Sequence, residues 1–324
     1  MRGERVKKKI LITGGTGSLG QGLIAHWKDR YELRILSRNP HQQQMVQEKF
    51  GLEPSAFVLA DVCDYEAVKA ACAGVDVLIH AAALKVVNQG EQNPEEYHRV
   101  NTIGSQVVAR AWFDAEKSRD PADGLAARLP RKALYINSDK AIAPTSLYGC
   151  SKKMGEAFFI KRGFSSLRYG NVVGSEGSFI HKWVEYAEKG RAIPVRYPHP
   201  TRFFLSFAEA FRLINCTLAA IDVVGNGIFV PAGLPSFDVY SVAKAFTNPL
   251  NICQRGLEPG EKRHEVLLQP GEVAEKIPKE PALFKVEPGW RGGNNCFSSE
   301  FAPRIGGDEV LRRLGVSPRQ EVFA

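Results

Sequence analysis

Short apolar runs alternate with amphipathic stretches through the first half of the sequence. Runs at 9–13, 32–36, 58–62, 75–80, 134–136 and 164–169 are rich in Ile, Leu and Val, which predicts strands buried within a sheet. The stretches at 19–28 and 93–116, and the one around Tyr148, have the composition of helices. This alternation predicts an α/β fold with a doubly wound parallel sheet, as in Rossmann-like proteins.

A glycine-rich turn follows the first predicted strand. The sequence GGTGSLG places Gly14, Gly17 and Gly20 three residues apart, directly before a predicted helix. Glycines let the backbone approach a pyrophosphate, and the helix N-terminus supplies N–H groups and positive potential. Strand, glycine turn and helix together indicate a dinucleotide site and not a plain turn. The predicted cofactor contacts here are Gly14, Thr16, Gly17, Ser18, Leu19 and Gly20.

The end of the second predicted strand bears on the choice of cofactor. An NAD-selective site usually has Asp or Glu there for the ribose hydroxyls, but this chain has Ser37 and Arg38. A guanidinium binds a phosphate through two parallel hydrogen bonds, so we predict NADP, with a surface arginine as the alternative. Asp61 and Val62 after the third strand, and Ala81 and Ala82 after the fourth, are further predicted cofactor contacts.

A polar cluster follows the fifth predicted strand. Ser138, Asp139 and Lys140 come at the strand end, and the next helix carries Tyr148 and Lys152 four residues apart, on one helix face. Such a cluster is typical of the catalytic centre of a short-chain dehydrogenase/reductase. A solvated loop before an ordinary helix is the alternative, because the spacing of the Tyr–Lys pair alone is common.

Past residue 175 the regular alternation weakens, and Pro and Gly become frequent. Helices are predicted at 179–189, 207–219, 238–246 and 308–314, a strand at 228–230, and a loop-rich segment at 270–303. We expect residues 1–175 to form an NADP-binding Rossmann-like domain with the catalytic residues. Residues 176–324 would form a smaller, mainly substrate-binding part interleaved with it, and 118–131 an exposed insertion.

The composition of the chain limits the kind of protein it can be and the ligands it can bind. The chain has 324 residues, of which 44% are hydrophobic and 24% charged, typical of a globular protein. No apolar run reaches the ~18 residues needed to span a membrane, so we expect a cytoplasmic protein. The six cysteines are scattered without a CxxC pair, so no metal is expected. The net charge of +8 favours anionic small molecules over nucleic acid, for which no motif is present.

Several segments together resemble one family, the UDP-N-acetylglucosamine 4,6-dehydratases (inverting type) of the extended short-chain dehydrogenase/reductase superfamily of nucleotide-sugar enzymes. The similar stretches are ITGGTGSLG, SRN, HAAALK, SDKA with LYGCSK, RYGNVVGS, TRFF, FVP, PGEKRHE and FSSEF. Their order and spacing agree along nearly the whole chain, and SDK followed by YxxxK is the most specific element. Asn88, Asn137, Glu176 and Glu258 depart from the family pattern; the last two stand where arginine is usual.

The resemblance implies a reaction and residue roles. Tyr148 would take the C4 hydroxyl proton while NADP+ takes the C4 hydride. Lys152 would lower the pKa of Tyr148 and hold the nicotinamide ribose, and Ser138 would bind the C4 oxygen. Lys140 and Asp139 would be the base at C5 and the acid at C6. Asn101 and Lys85 would contact the cofactor, and Lys85, Asn171, Arg202 and Glu265 would bind the nucleotide-sugar substrate. An oligomer of identical chains is also implied.

Two other functions remain open from the sequence. A nucleotide-sugar 4-epimerase or reductase would use Tyr148 and Lys152 without needing Asp139 and Lys140. A non-catalytic NADP-binding regulator would need only the glycine turn, and the complete Ser–Tyr–Lys set argues against it. Loss of water from the substrate separates the dehydratase from both.

Overall fold

A computed structural model describes residues 7–117, 131–175, 178–289 and 297–316. Residues 118–130 of the predicted insertion at 118–131 lie outside the described residues, and so does Glu176. The described strands are β1 Lys9–Thr13, β2 Glu32–Ser37, β3 Phe57–Leu59, β4 Val77–His80, β5 Lys132–Ser138, β6 Ser165–Tyr169, β7 Ile193–Tyr197, β8 Thr201–Phe203, β9 Ile228–Pro231, β10 Ser236–Asp238, β11 Ile252–Gly256, β12 Glu272–Ile277 and β13 Glu280–Pro288.

The described helices flank and connect these strands. They are α1 Ser18–Trp27, α2 Pro40–Phe50, α3 Tyr65–Cys72, α4 Val87–Gln92, α5 Pro94–Tyr97, α6 Gly104–Lys117, α7 Leu147–Lys161, α8 Phe179–Glu188, α9 Phe207–Val224, α10 Val239–Phe246 and α11 Gly307–Arg313. A π-helical turn, His98–Ile103, joins α5 to α6, so residues 94–117 form one continuous helical segment.

The central sheet has the order β12-β13-β9-β6-β5-β4-β1-β2-β3. The seven strands from β9 to β3 are parallel to their neighbours, whereas β13 pairs antiparallel with β9 and β12 with β13. The doubly wound parallel sheet predicted from the sequence is confirmed. The prediction of a loop at 270–303 is wrong for 272–288, because a hairpin there extends the sheet edge. Strand β9 and this hairpin bring the second half of the chain into the main sheet.

Apolar layers cover both faces of the sheet. One contains Trp27 of α1 and Leu213 of α9, and the other contains Trp112 of α6 and Phe159 of α7; all four side chains are buried. A third cluster, centred on Trp183 of α8, packs β7 against α8, α10 and α11. The described part of the chain contains no helix long and apolar enough to cross a bilayer.

Local sequence sets the boundaries of the helices near the site. Ser146 accepts a hydrogen bond from the Gly149 backbone N–H, which caps the N-terminus of α7. Asn39 caps α2 in the same way, with Pro40 at the first helical position. These caps fix the residues at which α2 and α7 begin, and therefore the positions of Arg38 before α2 and Tyr148 within α7.

Candidate active site

A cavity of about 850 Å³ runs along the carboxyl ends of β1, β2, β4, β5 and β6, where parallel α/β sheets bind ligands. It extends to residues contributed by β7, β8 and the 258–265 loop. Most of the residues predicted from the sequence line it: Gly14, Thr16, Gly17, Ser18, Leu19, Gly20, Ser37, Arg38, Asp61, Val62, Ala81, Ala82, Lys85, Ser138, Lys140, Tyr148, Lys152, Asn171, Arg202 and Glu265. The fold therefore gathers the two predicted groups of residues, cofactor and catalytic, around one space.

Two predicted residues do not line the cavity. Asn101 is buried and braces the loop after β4: its side chain accepts from the Leu84 N–H and donates to the Leu84 carbonyl and to Ser151. Asn101 thus supports the wall of the cavity from behind. Asp139 is also buried, in the short helical turn Asp139–Ala141 that follows β5. Its role depends on its neighbours, described below.

The glycine turn at the end of β1 forms a cradle that side chains would fill. Gly14 has a φ of 71°, and a Cβ there would lie 2.7 Å from the Cα of Ala82. A Cβ on Gly20 would lie 2.5 Å from the carbonyl oxygen of Gly15. Helix α1 begins at Ser18, immediately beyond the turn. The close approach and the helix N-terminus fit a bound pyrophosphate.

Arg38 lies at the cavity wall within a network of four charges. Its guanidinium donates to Glu96 at 2.9 Å and lies 3.8 Å from Asp61. Arg99 donates to the same two carboxylates, at 2.8 Å and 3.0 Å. Hydrogen bonds from Arg99 and then Arg38 lower the pKa of Glu96 to about 2. Arg38 is therefore held near the end of β2 while remaining half exposed to a ligand.

Tyr148 is buried at the start of α7, beside the polar end of β5. Burial raises the pKa of its phenol to about 12, against the opposing effect of the Lys140 charge and of a hydrogen bond with Ser138. Tyr97 packs edge-on against the Tyr148 ring at 6.3 Å. The Lys140 charge lowers the Tyr148 pKa and so opposes burial. The expectation that Lys152 lowers the pKa of Tyr148 stays a prediction.

Lys152 lines the cavity and is hydrogen-bonded to the backbone of β5. Its Nζ donates to the Ile136 carbonyl at 2.7 Å and lies 4.1 Å from the centre of the Tyr135 ring. Burial lowers the pKa of Lys152 to about 7, although the Glu156 carboxylate opposes that change. Near neutral pH this lysine is consequently only partly protonated.

Lys140 has the opposite environment. Its Nζ donates to Asn171 at 2.7 Å and to Asp139 at 3.1 Å, and it lies 3.4 Å from Glu265. Burial alone would lower the pKa of Lys140, but the carboxylates of Asp139 and Glu265 outweigh burial and hold that pKa above its ordinary value. Lys140 is therefore charged at neutral pH.

Asp139 has one oxygen engaged and one that is not. Its Oδ1 accepts from Ser138 at 2.9 Å and from Lys140, whereas its buried Oδ2 has no hydrogen-bond partner among the described residues. Burial raises the pKa of the Asp139 carboxyl. A buried carboxyl with a raised pKa and a free oxygen is suited to carry a proton.

Glu265, from the 258–265 loop, lies beside Lys140 and Asp139 at the cavity. It is buried among three cations, with Lys140 and Arg202 near its Oε1 and Lys262 3.1 Å from its Oε2. Its backbone N–H is held by the buried Ser299. This position beside Lys140 could not be deduced from the sequence, because it depends on how the 258–265 loop packs on the turn after β5.

A charged residue that lines the cavity was not predicted from the sequence. Arg196 of β7 lines the cavity and contacts the carboxylates of Glu258 and Glu261, so it supplies a cation beside one of the family departures. Outside the cavity lining, the Glu91 carboxylate accepts from the Leu147 N–H at 2.8 Å and so helps to cap α7. No sequence signal marks Arg196, which stands in an ordinary strand.

Comparison with known proteins identifies the family to which the chain belongs. The family described as polysaccharide biosynthesis protein matches residues 10–287. The chain belongs to this family. It is 31% identical, over 81% of its length and 78% of the relative's, to the inverting UDP-N-acetylglucosamine 4,6-dehydratase of Campylobacter jejuni. It is 29% identical to the UDP-glucose 4-epimerase of Rickettsia bellii, over 83% of this chain and 80% of that one.

A solved structure shares the architecture. The X-ray structure of Pen from Bacillus thuringiensis superposes with a TM-score of 0.80 at 26% identity, and the match covers 94% of this chain and 96% of that chain. The resemblance stated from the sequence motifs is therefore confirmed at the level of family and fold.

Proposed function

We propose that this protein is a nucleotide-sugar dehydratase, a lyase that converts UDP-N-acetylglucosamine to a 4-keto-6-deoxy sugar nucleotide. The observation that carries the proposal is the ion pair between the buried Asp139 and Lys140, at a cavity that Lys140 and Tyr148 both line. Oxidation at C4 needs a tyrosine base alone, whereas removal of water across C5–C6 also needs a base and an acid. An adjacent lysine and carboxyl group supply both.

The cradle at Gly14 and the N-terminus of α1 would hold the pyrophosphate of a nicotinamide dinucleotide, and Ser37, Arg38 and Asp61 would hold its adenosine end. We propose NADP, because Arg38 keeps a guanidinium at the end of β2, where a 2′-phosphate would lie. Lys152 and Tyr148 would contact the nicotinamide ribose. The bound nicotinamide would supply hydride transfer between C4 and C6 of the sugar.

The residues of the chain supply the proton transfers. Tyr148 as phenolate takes the C4 hydroxyl proton, with Ser138 donating to the C4 oxygen. Lys140 passes its proton to Asp139, 3.1 Å away, which leaves a neutral amine and a carboxylic acid. The amine then removes the C5 proton, and the acid protonates the departing C6 hydroxyl, so the pair returns to its charged form. After hydride reaches C6, C5 takes up one proton from solvent and the Tyr148 phenol releases one to solvent, which restores the phenolate.

Substrate binding draws on both parts of the chain in this proposal. Asn171, Arg202 and Glu265 would lie at the diphosphate and uridine, and Lys85 would lie near the sugar. Residues 1–175 would hold the cofactor and residues 176–324 mainly the substrate. Tyr148 is the residue of the YxxxK motif that resembles the C5-inverting dehydratases, so we propose inversion at C5 and an L-arabino product.

Mass spectrometry tests the reaction. Protein mixed with UDP-N-acetylglucosamine should give a product lighter by one water, without added NADPH. In heavy water, solvent deuterium should enter C5, and the hydrogen moved from C4 to C6 should come from the substrate. A D-xylo product seen first by NMR would refute inversion alone, whereas an isomer of unchanged mass would replace the dehydratase with an epimerase.

The 4-epimerase is the second candidate, because a relative of similar identity carries that name. Lys140→Ala distinguishes the two functions within one variant. A dehydratase lacking Lys140 should still reduce its bound cofactor with substrate but release no dehydrated sugar, whereas an epimerase should keep its turnover. Asp139→Asn serves as the companion variant, because it removes the acid but retains the shape.

A further inference from the structure

We propose that Arg99, a residue outside the cavity lining, is a positioning residue for NADP: it neutralises the two carboxylates beside Arg38, so that the Arg38 guanidinium stays available to a 2′-phosphate. The inference rests on the proposed function, because it assumes that a nicotinamide dinucleotide binds at the glycine turn. It goes further by assigning part of the choice between NADP and NAD to the helical segment 94–117.

Arg99 holds both acidic residues of this network by hydrogen bonds. Its Nε and Nη2 donate to the two oxygens of Glu96, at 2.8 Å and 3.0 Å, which is the forked geometry that makes guanidinium–carboxylate pairs strong. Its Nη1 donates to Asp61 at 3.0 Å. The other oxygen of Asp61 accepts from the Cys63 backbone N–H at 2.9 Å. Both carboxylates are therefore directed towards Arg99.

Arg38 is held less completely by the same carboxylates. Its Nη1 donates to Glu96 at 2.9 Å, and this is the only hydrogen bond that its side chain makes with the described residues. Its distance to Asp61, 3.8 Å, is too long for a hydrogen bond. Because a guanidinium carries five N–H donors, Arg38 keeps donors for a phosphate in the cavity that it lines.

The backbone explains why Arg99 reaches this network. Arg99 lies in the π-helical turn His98–Ile103, three residues after Glu96, so both side chains leave the segment on the same side. The Arg99 backbone carbonyl accepts from the Cys63 thiol at 3.2 Å. The segment therefore packs on the loop after β3, which also carries Asp61, and this contact brings the guanidinium to both carboxylates.

The charge balance of the network depends on Arg99. Two guanidinium groups offset two carboxylates, so a phosphate that approaches Arg38 meets a neutral network. Without Arg99 the three remaining charges leave an excess negative charge, and Glu96 and Asp61 have only Arg38 as a cation in the network. A 2′-phosphate, which carries close to two negative charges, would then be repelled and would compete for the Arg38 donors. NAD has a neutral hydroxyl in that position and would lose far less.

Calorimetry with NADP+ and NAD+, on protein stripped of nucleotide, tests the inference in Arg99→Met. The quantity compared is the ratio of the two dissociation constants, because an effect on the adenine that both nucleotides share cancels in it. We expect NADP+ to weaken relative to NAD+ by at least about fivefold at low salt. Most of this change should disappear at about 0.5 M salt, because the network is partly exposed to solvent and salt screens its charges.

Two further variants separate charge from packing. Adding Glu96→Gln to Arg99→Met should return the ratio towards the wild-type value, because removing one carboxylate restores the charge balance; a role of Arg99 in packing alone would give no such recovery. Arg110→Met is the matched control. Arg110 lies on α6, pairs with Asp114 at 3.5 Å and does not line the cavity, so its loss should leave the ratio unchanged.

An unchanged ratio in Arg99→Met, or a loss that Glu96→Gln does not reverse, would overturn the inference. A wild-type protein that binds NAD+ more tightly than NADP+ would instead refute the proposed cofactor, and the change in ratio between wild type and Arg99→Met would still decide the role of Arg99. Titration with 2′,5′-ADP and 5′-AMP repeats the comparison without the nicotinamide half. None of these measurements depends on turnover, so the result also stands apart from the proposed dehydration.

Discussion

Replacing Lys152 with methionine should remove a pH-dependent part of the stability of the protein. Lys152 is 4% exposed, and burial lowers its pKa to about 7 from an ordinary 10.5. Between these two values the unfolded chain holds a proton on this lysine that the folded chain largely lacks. The free energy of unfolding therefore rises with pH through this window and gains nothing from Lys152 below about pH 7.

The size of the effect follows from the width of that window. Each pH unit within it contributes at most about 1.4 kcal/mol for one group. From pH 7.5 to pH 9.0 the folded protein has already lost most of the Lys152 proton, so the gain is about 1–2 kcal/mol. No discount for solvent applies, because the ammonium is buried. The cysteines whose pKa values are raised, such as Cys72, are present in every variant and cancel in the difference.

Urea unfolding at pH 7.5 and 9.0, on protein stripped of nucleotide, measures the increment. Nucleotide must be removed because a ligand that binds only the folded state adds its own stabilisation. Lys153→Met is the matched control: Lys153 is exposed and donates to Gln269. We expect wild type and Lys153→Met to gain equally, and Lys152→Met to gain about 1–2 kcal/mol less. An equal gain in all three proteins would mean that Lys152 keeps its charge in the fold.

Three further predictions concern the cofactor and the core. Arg38→Asp should raise the NADP+ dissociation constant by tenfold or more and leave that of NAD+ nearly unchanged in calorimetry, because a charge-assisted phosphate contact is replaced by repulsion; equal changes for both nucleotides would contradict it. Gly155→Ala should cost about 1–3 kcal/mol in urea unfolding, because its Cβ would lie 2.3 Å from the Tyr135 hydroxyl; an unchanged midpoint would show that the ring moves aside. Arg168→Met should cost about 3–5 kcal/mol, because it leaves the buried Glu156 unpaired, and adding Glu156→Gln should recover part of that loss.

Local patterns predicted which residues line the cavity around the glycine turn. The glycine turn and the Tyr–Lys pair each lie within a few residues of the strand that positions them, so strand, turn and helix signals sufficed to place them together. The same reasoning placed Ser138 and Lys140 at a strand end that opens on the cavity. The sequence did not predict that Asn101 lies behind the cavity wall, because a buried amide that braces a loop and one that binds a cofactor look alike in a sequence.

The parts that the sequence did not predict depend on contacts between distant segments. The hairpin Glu272–Ile277 and Glu280–Pro288 contains many charged residues, and only pairing with β9 makes it part of the sheet. The charge state of Lys140 depends on Glu265, which reaches it from the other half of the chain. Asp139 was identified because it is adjacent in sequence, but Glu265, the second carboxylate that raises the pKa of Lys140, was not placed beside it.

The pKa values of Lys140 and Lys152 differ because their neighbouring carboxylates have different partners. Glu156 lies one turn beyond Lys152 on α7, and its charge raises the pKa of Lys152 too little to offset burial. Its oxygens accept from Arg168 at 2.6 Å and 2.9 Å and also from Asn137, so this carboxylate is already neutralised by a buried guanidinium. No comparable arginine lies so close to Asp139 among the described residues, and its charge acts on Lys140 instead. The fold thereby separates the pKa values of two amines that line one cavity, and holds the charged one against Asp139 and Glu265.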